Sequence, residues 1–195
     1  MNTSDLPKLT IRNVTVRSVL VPLLRPLVTR IITIDKMATI LIDLETEEGI
    51  TGHSYLFGFS ERGNAYLAPL IRDLVMAAKG ERIQPNNLYN KGLKQFTLFG
   101  HKGLPLIAIS GLDMAYWDAL SKAENQPLAA FLGGSMNPIP AYNSNGLGLT
   151  NNLTALASEA EELVLDGNFE MVKLRLGRET LKQDLEAFRA VRAAV

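Results

Sequence analysis

FEMVKLRL, residues 169–176, is the stretch that decides the fold of the second half of this 195-residue chain. It lies between two segments with helical periodicity, and the order helix, strand, helix predicts a βαβ unit with a parallel strand at its centre. Side chains alternate between the two faces of a strand. Two groups face opposite ways: Val172, Leu174 and Leu176 on one side, and Met171, Lys173 and Arg175 on the other.

The two cations of this strand indicate a binding site. Parallel strands are normally apolar on both faces, because helices cover one face and the sheet or barrel interior covers the other. Burying Lys173 and Arg175 is costly unless they bind an anion. An edge strand with one face in water would also accommodate them, but we favour the site. The sequence therefore predicts a site lined by Lys173 and Arg175.

Composition excludes several classes of function. The chain has 20 Lys and Arg against 20 Asp and Glu, so nothing favours a nucleic-acid partner. It has no cysteine, which excludes disulfides, thiolate catalysis and cysteine-ligated metals. The N-terminus has no secretory signal pattern, and the apolar runs are too short to span a membrane. We expect a soluble, cytoplasmic, globular protein with no membrane partner.

The first half of the chain alternates like an antiparallel sheet. Strands are predicted over residues 9–23, 39–46 and 50–56, and Glu47–Gly49 turns the chain between the last two. The segment Pro22–Asp35 contains two prolines and is predicted as a long connection, a type of segment that is often functional. Three sequential strands predict an antiparallel meander.

Helical periodicity then replaces the alternation. A first helix is predicted around Leu67–Val75, with Asn64 as a possible cap and Gly80 as a stop. Further helices are predicted at Pro85–Phe96, from Pro105 until Gln126-Pro127, and as a short turn at Leu128–Leu132. The first half is therefore expected to be an α+β domain.

From Pro138 onward, short strands alternate with helices. The strands are predicted at residues 139–142 and 171–176, and the helices at residues 153–165 and after Thr180. Two β/α units cannot close a parallel barrel, which takes eight. This region therefore predicts the first β/α units of a larger TIM-like barrel.

The last helix has the strongest local signals. Thr180 and Gln183 make a capping box at its start. Its predicted apolar face consists of Leu181, Leu185, Phe188, Val191 and Val195.

Three segments carry a family resemblance: GHSYLF at 52–57, GLDMAYWDAL at 111–120, and VKLRLG at 172–177 with QDL at 183–185. On these motifs the chain, from about Ile11 to its end, resembles the mandelate racemase/muconate lactonizing enzyme family of the enolase superfamily. The resemblance implies that residues 1–134 form an N-terminal α+β capping domain, with a three-stranded antiparallel meander plus helices. It implies that residues 135–195 are the start of a C-terminal TIM-like (β/α) barrel, truncated here.

The same resemblance implies a chemistry. Members of the family are Mg²⁺-dependent enzymes that abstract the proton α to a carboxylate, which implies a racemase-like isomerase or an acid-sugar dehydratase. The substrate would be a small 2-hydroxy acid or acid sugar, and the assembly a homo-oligomer. The resemblance places the magnesium ligands beyond Val195, so we expect no metal ligand in this chain and no activity from it alone. The alternative is an inactive fragment that retains only capping-domain folding or self-association.

The resemblance also implies site residues. Lys173 matches the first lysine of the family's Lys-x-Lys motif, which helps to neutralise the substrate carboxylate, and Arg175 stands where the basic lysine normally lies. Ser144 and Tyr55 match substrate-contacting positions, Tyr55 in the loop after the third strand. A guanidinium stays protonated, so Arg175 is a poor base and a good carboxylate clamp. We therefore expect one-base chemistry such as dehydration, with a Schiff-base lyase using Lys173 as a less favoured alternative.

Other polar residues are predicted to be structural. His53, in the same loop as Tyr55, and His101 have no evident partner in the sequence. Asp113 and Asp118 lie about 140° apart around a helix axis, so they cannot form a carboxylate pair.

Overall fold

The computed structural model describes residues 6–167 and 169–195. Within these residues the chain forms three strands followed by six helices. None of these helices is long and apolar enough to cross a membrane. The strands are β1 (Ile11–Val28), β2 (Thr33–Thr46) and β3 (Thr51–Phe57). The helices are α1 (Glu61–Ala78), α2 (Pro85–Gln95), α3 (Leu104–Ala123), α4 (Leu128–Phe131), α5 (Leu153–Leu165) and α6 (Leu181–Ala194).

The three strands form one sheet in the order β1-β2-β3. β2 and β3 are antiparallel, and Asp43 lies opposite His53. Along β2 the alternate side chains Ile40, Ile42 and Leu44 are fully buried. This alternation confirms the predicted antiparallel meander, because a sheet with one face on a core buries every second residue.

The long connection predicted at Pro22–Asp35 is wrong. β1 runs to Val28 and β2 begins at Thr33, so the segment extends a hairpin. Its turn is closed by a hydrogen bond of 3.0 Å from the Thr29 N–H to the Ile32 carbonyl. β1 is an edge strand, and proline is tolerated at an edge because it can face the side without a ladder partner. The prolines therefore do not end the strand.

Helix α3 packs on β3 and also contacts α1 and α2. Two glycines permit the close approach of helix and strand. A Cβ at Gly52 would clash with the Ala115 carbonyl oxygen, and a Cβ at Gly111 would lie 2.7 Å from Leu56 Cδ1. The Ser54 hydroxyl donates a hydrogen bond of 2.6 Å to the Gly111 carbonyl. Two of the three resemblance motifs are therefore the two sides of one packed interface.

The cap of α1 predicted at Asn64 is wrong. The helix begins at Glu61, and the Ser60 hydroxyl accepts a hydrogen bond of 3.1 Å from the Gly63 N–H. Asn64 is fully buried, and its Nδ2 donates to the Thr39 carbonyl at 3.1 Å. A buried amide needs such partners, so Asn64 ties the helix to the sheet.

The chain packs as two compact units. The first comprises the described residues up to Val21 together with Met37–Met136, and the second comprises Pro22–Lys36 and Asn137–Val195. Each unit has its own cluster of buried apolar side chains. The domain boundary expected after residue 134 remains a prediction.

The second unit joins its two predicted strands at one point. Asn143 and Val172 form a parallel bridge. The Asn143 N–H donates to the Met171 carbonyl at 2.8 Å, and the Lys173 N–H donates to the Asn143 carbonyl at 3.0 Å. The parallel direction agrees with the predicted βαβ order.

The regular strands predicted over 139–142 and 171–176 are wrong. After the bridge, the Arg175 N–H donates to the Leu147 carbonyl at 3.1 Å. Leu147 has a positive φ of 52°. A left-handed residue bends the chain away from strand geometry, and the ladder therefore does not continue.

The helices of the second unit follow their local signals. α5 has the predicted bounds. The capping box of α6 is confirmed, since the Thr180 hydroxyl accepts from the Gln183 N–H at 3.3 Å and the Gln183 side chain accepts from the Thr180 N–H at 3.0 Å. The predicted apolar face of α6 is only partly buried. Ala187 and Val191 lie in the core, whereas Phe188 is 53% exposed.

The open side of the second unit carries an apolar groove of about 450 Å³. It lies between the bridged segment and α6. Its apolar lining includes Met171, Val172, Leu174, Leu176, Phe188 and Val195.

Candidate active site

Lys173 lies next to the parallel bridge, and it is exposed. Its ammonium nitrogen lies 5.9 Å from the centroid of the Tyr142 ring, within the range of a cation–π attraction. Its backbone N–H is held by the Asn143 carbonyl. These contacts place the ammonium beside Tyr142, the residue before Asn143.

Arg175 lies two residues further along and is half-buried. Its Nη1 donates to the Gly146 carbonyl at 2.6 Å. Its two terminal nitrogens lie 3.5 and 3.4 Å from the Ser144 carbonyl. Because a guanidinium is always protonated, it can donate to these carbonyls but cannot accept a proton from a substrate.

Ser144 is exposed in the turn that follows the bridge. The turn starts at Asn143, whose Nδ2 donates to the Leu163 carbonyl at 3.0 Å and whose Oδ1 accepts from the Asn145 N–H at 3.0 Å. Three of the four predicted site residues therefore lie together in the second unit. Their roles toward a substrate remain predictions.

Tyr55 lies in strand β3, opposite Leu41. Its predicted position in the loop after the third strand is wrong, because the strand continues to Phe57. The Tyr55 residue is 70% exposed. It belongs to the first unit, and its contact with a substrate remains a prediction.

The sequence analysis missed Arg178, whose side chain is only 3% exposed. Its Nε donates to the Thr150 carbonyl at 2.8 Å, and its Nη1 donates to the Arg175 carbonyl and to Asp184 Oδ1, both at 3.1 Å. Arg178 therefore connects two backbone segments, the one that follows Asn143 and the one that follows Val172. The available signal was Asp184 in the QDL motif, because a carboxylate in the first turn of a helix often pairs with groups just before it.

Asp184 is the charged partner of Arg178. Burial alone would raise the pKa of Asp184, but hydrogen bonds from the N–H groups of Arg178 and Gly177 and from the guanidinium outweigh it and lower the pKa. The Gly177 N–H donates to Oδ2 at 3.0 Å. The carboxylate is therefore ionised at neutral pH.

His53 has a structural partner in the first unit. It lies in β3, which corrects its predicted position in the loop. Its Nδ1 lies 2.8 Å from Asp43 Oδ1, and Arg17 binds the same carboxylate at 2.6 Å. Burial alone would raise the pKa of Asp43, but the hydrogen bonds of His53 and Arg17 lower it. This arrangement supports the structural role predicted for His53.

Asp113 and Asp118 have separate partners, in agreement with their spacing. Asp118 Oδ2 accepts from the His53 N–H at 2.6 Å and binds the Lys122 ammonium at 2.5 Å. Burial raises the pKa of Asp113, and a hydrogen bond with Trp117 opposes the change only in part. The two carboxyl groups therefore do not form an acid–base pair.

The described part of the chain does not assemble a metal centre. Across residues 6–167 and 169–195, no group of three or more His, Cys, Asp or Glu residues is placed to hold a metal ion. Mg²⁺ demands octahedral oxygen coordination, commonly with one or two carboxylates. The described residues therefore offer no cluster of three such side chains to the metal that the resemblance implies.

The sequence model of the N-terminal domain of mandelate racemase / muconate lactonizing enzymes matches residues 11–133. The chain belongs to this family. The matched residues contain β1–β3 and α1–α4, so the family's N-terminal domain here is the three-stranded sheet with its helices. The resemblance predicted from the three motifs is confirmed.

Members of the enolase superfamily that are similar to this chain include acid-sugar dehydratases and cycloisomerases. Arabinonate dehydratase of Saccharolobus solfataricus is 26% identical over 161 residues, which cover 82% of this chain and 43% of the relative. The chain therefore spans less than half the length of this relative.

Solved structures of the superfamily confirm the fold. An enolase from an alpha-proteobacterium, BAL199, with bound magnesium has a TM-score of 0.90 and 43% identity, over 95% of this chain and 52% of that chain. An enolase from Bradyrhizobium in complex with magnesium and mandelic acid has a TM-score of 0.86 and 34% identity, over 97% of this chain and 52% of that chain. The chain spans about half the length of both structures.

Proposed function

We propose that this chain is part of a Mg²⁺-dependent enzyme that abstracts the proton α to the carboxylate of an acid sugar and eliminates the hydroxyl group of the neighbouring β-carbon as water. The observation that carries the proposal is the arginine at position 175 of the Lys-x-Arg motif. Its guanidinium donates to the Gly146 and Ser144 carbonyls. It therefore supplies positive charge and hydrogen bonds, but no base.

Racemisation by two bases needs a proton acceptor on each side of the substrate carbon. A lysine at position 175 would provide an amine that can accept a proton. The arginine found there cannot accept one. The Lys173 ammonium and the Ser144 hydroxyl would bind the substrate carboxylate, and the family resemblance alone adds Tyr55 as a substrate contact. The proton from the α-carbon would go to a base outside these four residues, and a single base favours elimination of water over racemisation.

The relatives support a dehydratase. Arabinonate dehydratase is similar over 82% of this chain. Because the chain spans only part of that relative, the activity of the whole protein is a proposal. The proposal includes a capping domain over residues 1–134, the first barrel units over 135–195, and a homo-oligomer.

The proposed dependence on magnesium rests on the family. Structures similar to this chain contain magnesium. Since the described residues form no metal-binding group, we assign no step to a metal held by them.

Racemisation is the second candidate function. The Bradyrhizobium structure with mandelic acid is 34% identical to this chain, and mandelic acid has no β-hydroxyl group to eliminate. An inactive fragment that keeps only capping-domain folding or self-association is the remaining alternative.

The whole protein, supplied with Mg²⁺ in D₂O and a panel of 2-hydroxy and sugar acids, tests the proposal by proton NMR. We expect a 2-keto-3-deoxy acid with one deuterium at C3. Arg175→Lys should permit or increase exchange of the substrate α-proton with solvent. Lys173→Ala should cost about 2.7–4 kcal/mol of transition-state stabilisation, because the developing enolate would lose one charged partner.

Lys182→Ala is the matched control, because the Lys182 side chain is 85% exposed on α6. It should leave turnover unchanged. Interconversion of enantiomers without loss of water by the wild-type protein would show a racemase instead, and absence of turnover with every acid would support the inactive alternative.

A further inference from the structure

We infer that Arg175 is a positioning residue, which acts through the Ser144–Leu147 turn and not by contact with the substrate carboxylate. The inference rests on the proposed function for the role of Ser144, but the contacts that support it do not. It replaces the clamp role expected for this arginine with a different one.

Arg175 holds the turn through both its backbone and its side chain. Its N–H donates to the Leu147 carbonyl at 3.1 Å. Its Nη1 donates to the Gly146 carbonyl at 2.6 Å, and its Nη2 lies 3.4 Å from the Ser144 carbonyl. Three carbonyls of one short segment therefore converge on one residue.

Glu159, on α5, holds the same turn from its other side. Its Oε2 accepts from the Leu147 N–H at 3.0 Å. A Cβ at Gly146 would lie 2.6 Å from Glu159 Oε1, so the glycine permits this close approach. The turn is thus held between a cation that binds its carbonyls and an anion that binds its N–H.

The backbone of the turn is strained, which indicates that these contacts determine it. Leu147 is fully buried and has a positive φ of 52°. A bulky residue adopts this conformation only where its surroundings impose it, and such strain concentrates at functional sites. The strained residue lies directly after the segment that carries Ser144.

Arginine suits this role better than lysine. The planar guanidinium has five N–H donors in a fixed arrangement, so it can bind two carbonyls at once. An ammonium at the end of a flexible chain would bind the turn less rigidly. Compared with a lysine, Arg175 therefore lacks a titratable amine but supports the turn more rigidly.

Amide hydrogen exchange of the whole protein tests the inference without a need for activity. We expect Arg175→Ala and Glu159→Gln each to speed exchange at the Leu147 amide about tenfold or more, because each removes a charged hydrogen-bond partner of the turn. Arg175→Lys should restore part of the protection. Glu162→Gln is the control on α5, because Glu162 is 64% exposed and binds Arg25.

The double variant separates positioning from simple loss of contacts. If the two charges hold one turn, the effects of Arg175→Ala and Glu159→Gln should be less than additive. With an acid that the enzyme turns over, both variants should lower kcat more than they raise KM. A clamp would behave differently, since Arg175→Ala would raise KM and Glu159→Gln would leave kinetics unchanged.

Two results would overturn the inference. One is wild-type exchange at Leu147 in both Arg175→Ala and Arg175→Lys. The other is a raised KM in Arg175→Ala together with unchanged kcat and KM in Glu159→Gln. Failure to turn over any acid would count against the proposed function alone, because the exchange measurement would still decide the role of Arg175.

Discussion

The core between sheet and helices in the first unit and the bridged segment with α6 in the second unit bury their apolar residues differently. In the first unit, Ile42 on the sheet and Leu120 on α3 are fully buried. In the second, Leu176 and Phe188 are 58% and 53% exposed. A three-stranded antiparallel sheet closes a core with helices from its own segment, whereas one parallel bridge with two helices covers a single side. The comparison teaches that an antiparallel unit can complete its core locally, while a β/α pair leaves apolar groups in water.

Leucine truncations provide the largest expected effect. Leu120→Ala should destabilise the first unit by about 2–5 kcal/mol, because it opens a cavity in a closed core. Leu176→Ala should cost less than about 1 kcal/mol, because the side chain is already mostly in water. Denaturant unfolding followed by fluorescence of Trp117, the only tryptophan, reports the first unit, and exchange of α5 amides reports the second. Equal losses in the two units would contradict the comparison.

Removing a helix cap in each unit should give a matched loss of stability of intermediate size. Ser60→Ala removes the cap of α1 in the first unit, and Thr180→Ala removes the capping box of α6 in the second. Each should cost about 1 kcal/mol, detected by tryptophan fluorescence for the first change and by exchange of α6 amides for the second. Ser60→Asp and Thr180→Ser keep a capping oxygen and should lose little. A cap variant that lowers the stability of both units equally would show that they unfold as one.

Replacing a carboxyl group by an amide should give the smallest change in the free energy of unfolding. The change should have opposite signs in the two units. The pKa of Asp184 is lowered, so its stabilisation is present above the ordinary pKa of 3.8 and is lost as the pH falls through the lower folded value. Asp184→Asn should therefore lower the stability of the second unit at pH 7 and have less effect in acid.

Burial raises the pKa of Asp113, so its ionised form disfavours the fold above pH 3.8. Asp113→Asn should raise the stability of the first unit at pH 7 by less than about 1 kcal/mol, and the gain should vanish in acid. Thermal unfolding of both variants between pH 2 and 8 measures the two curves. Curves of the same sign would refute the assignment of hydrogen bonding to one carboxyl and burial to the other.

Part of the candidate site followed from residue spacing. Lys173 and Arg175 lie two residues apart on a short segment, and Arg175 lies near the Ser144 carbonyl, while the roles of all three toward a substrate remain predictions. The partners of Arg175 could not be predicted, because a hydrogen bond to a backbone carbonyl leaves no signature in the identity of the residue that accepts it. The same reason applies to Arg178, whose partners are mostly carbonyls.

Local interactions are what the sequence by itself determined. Alternation along β2 and the capping box at Thr180 depend on neighbours a few residues away, and both are visible in the sequence. Tertiary structure alone decided the rest. β1 continues past its prolines because it lies at a sheet edge, and Leu147 takes a left-handed backbone because Arg175 and Glu159 hold its two sides. Such features depend on contacts between distant segments, whose free energy outweighs local preference.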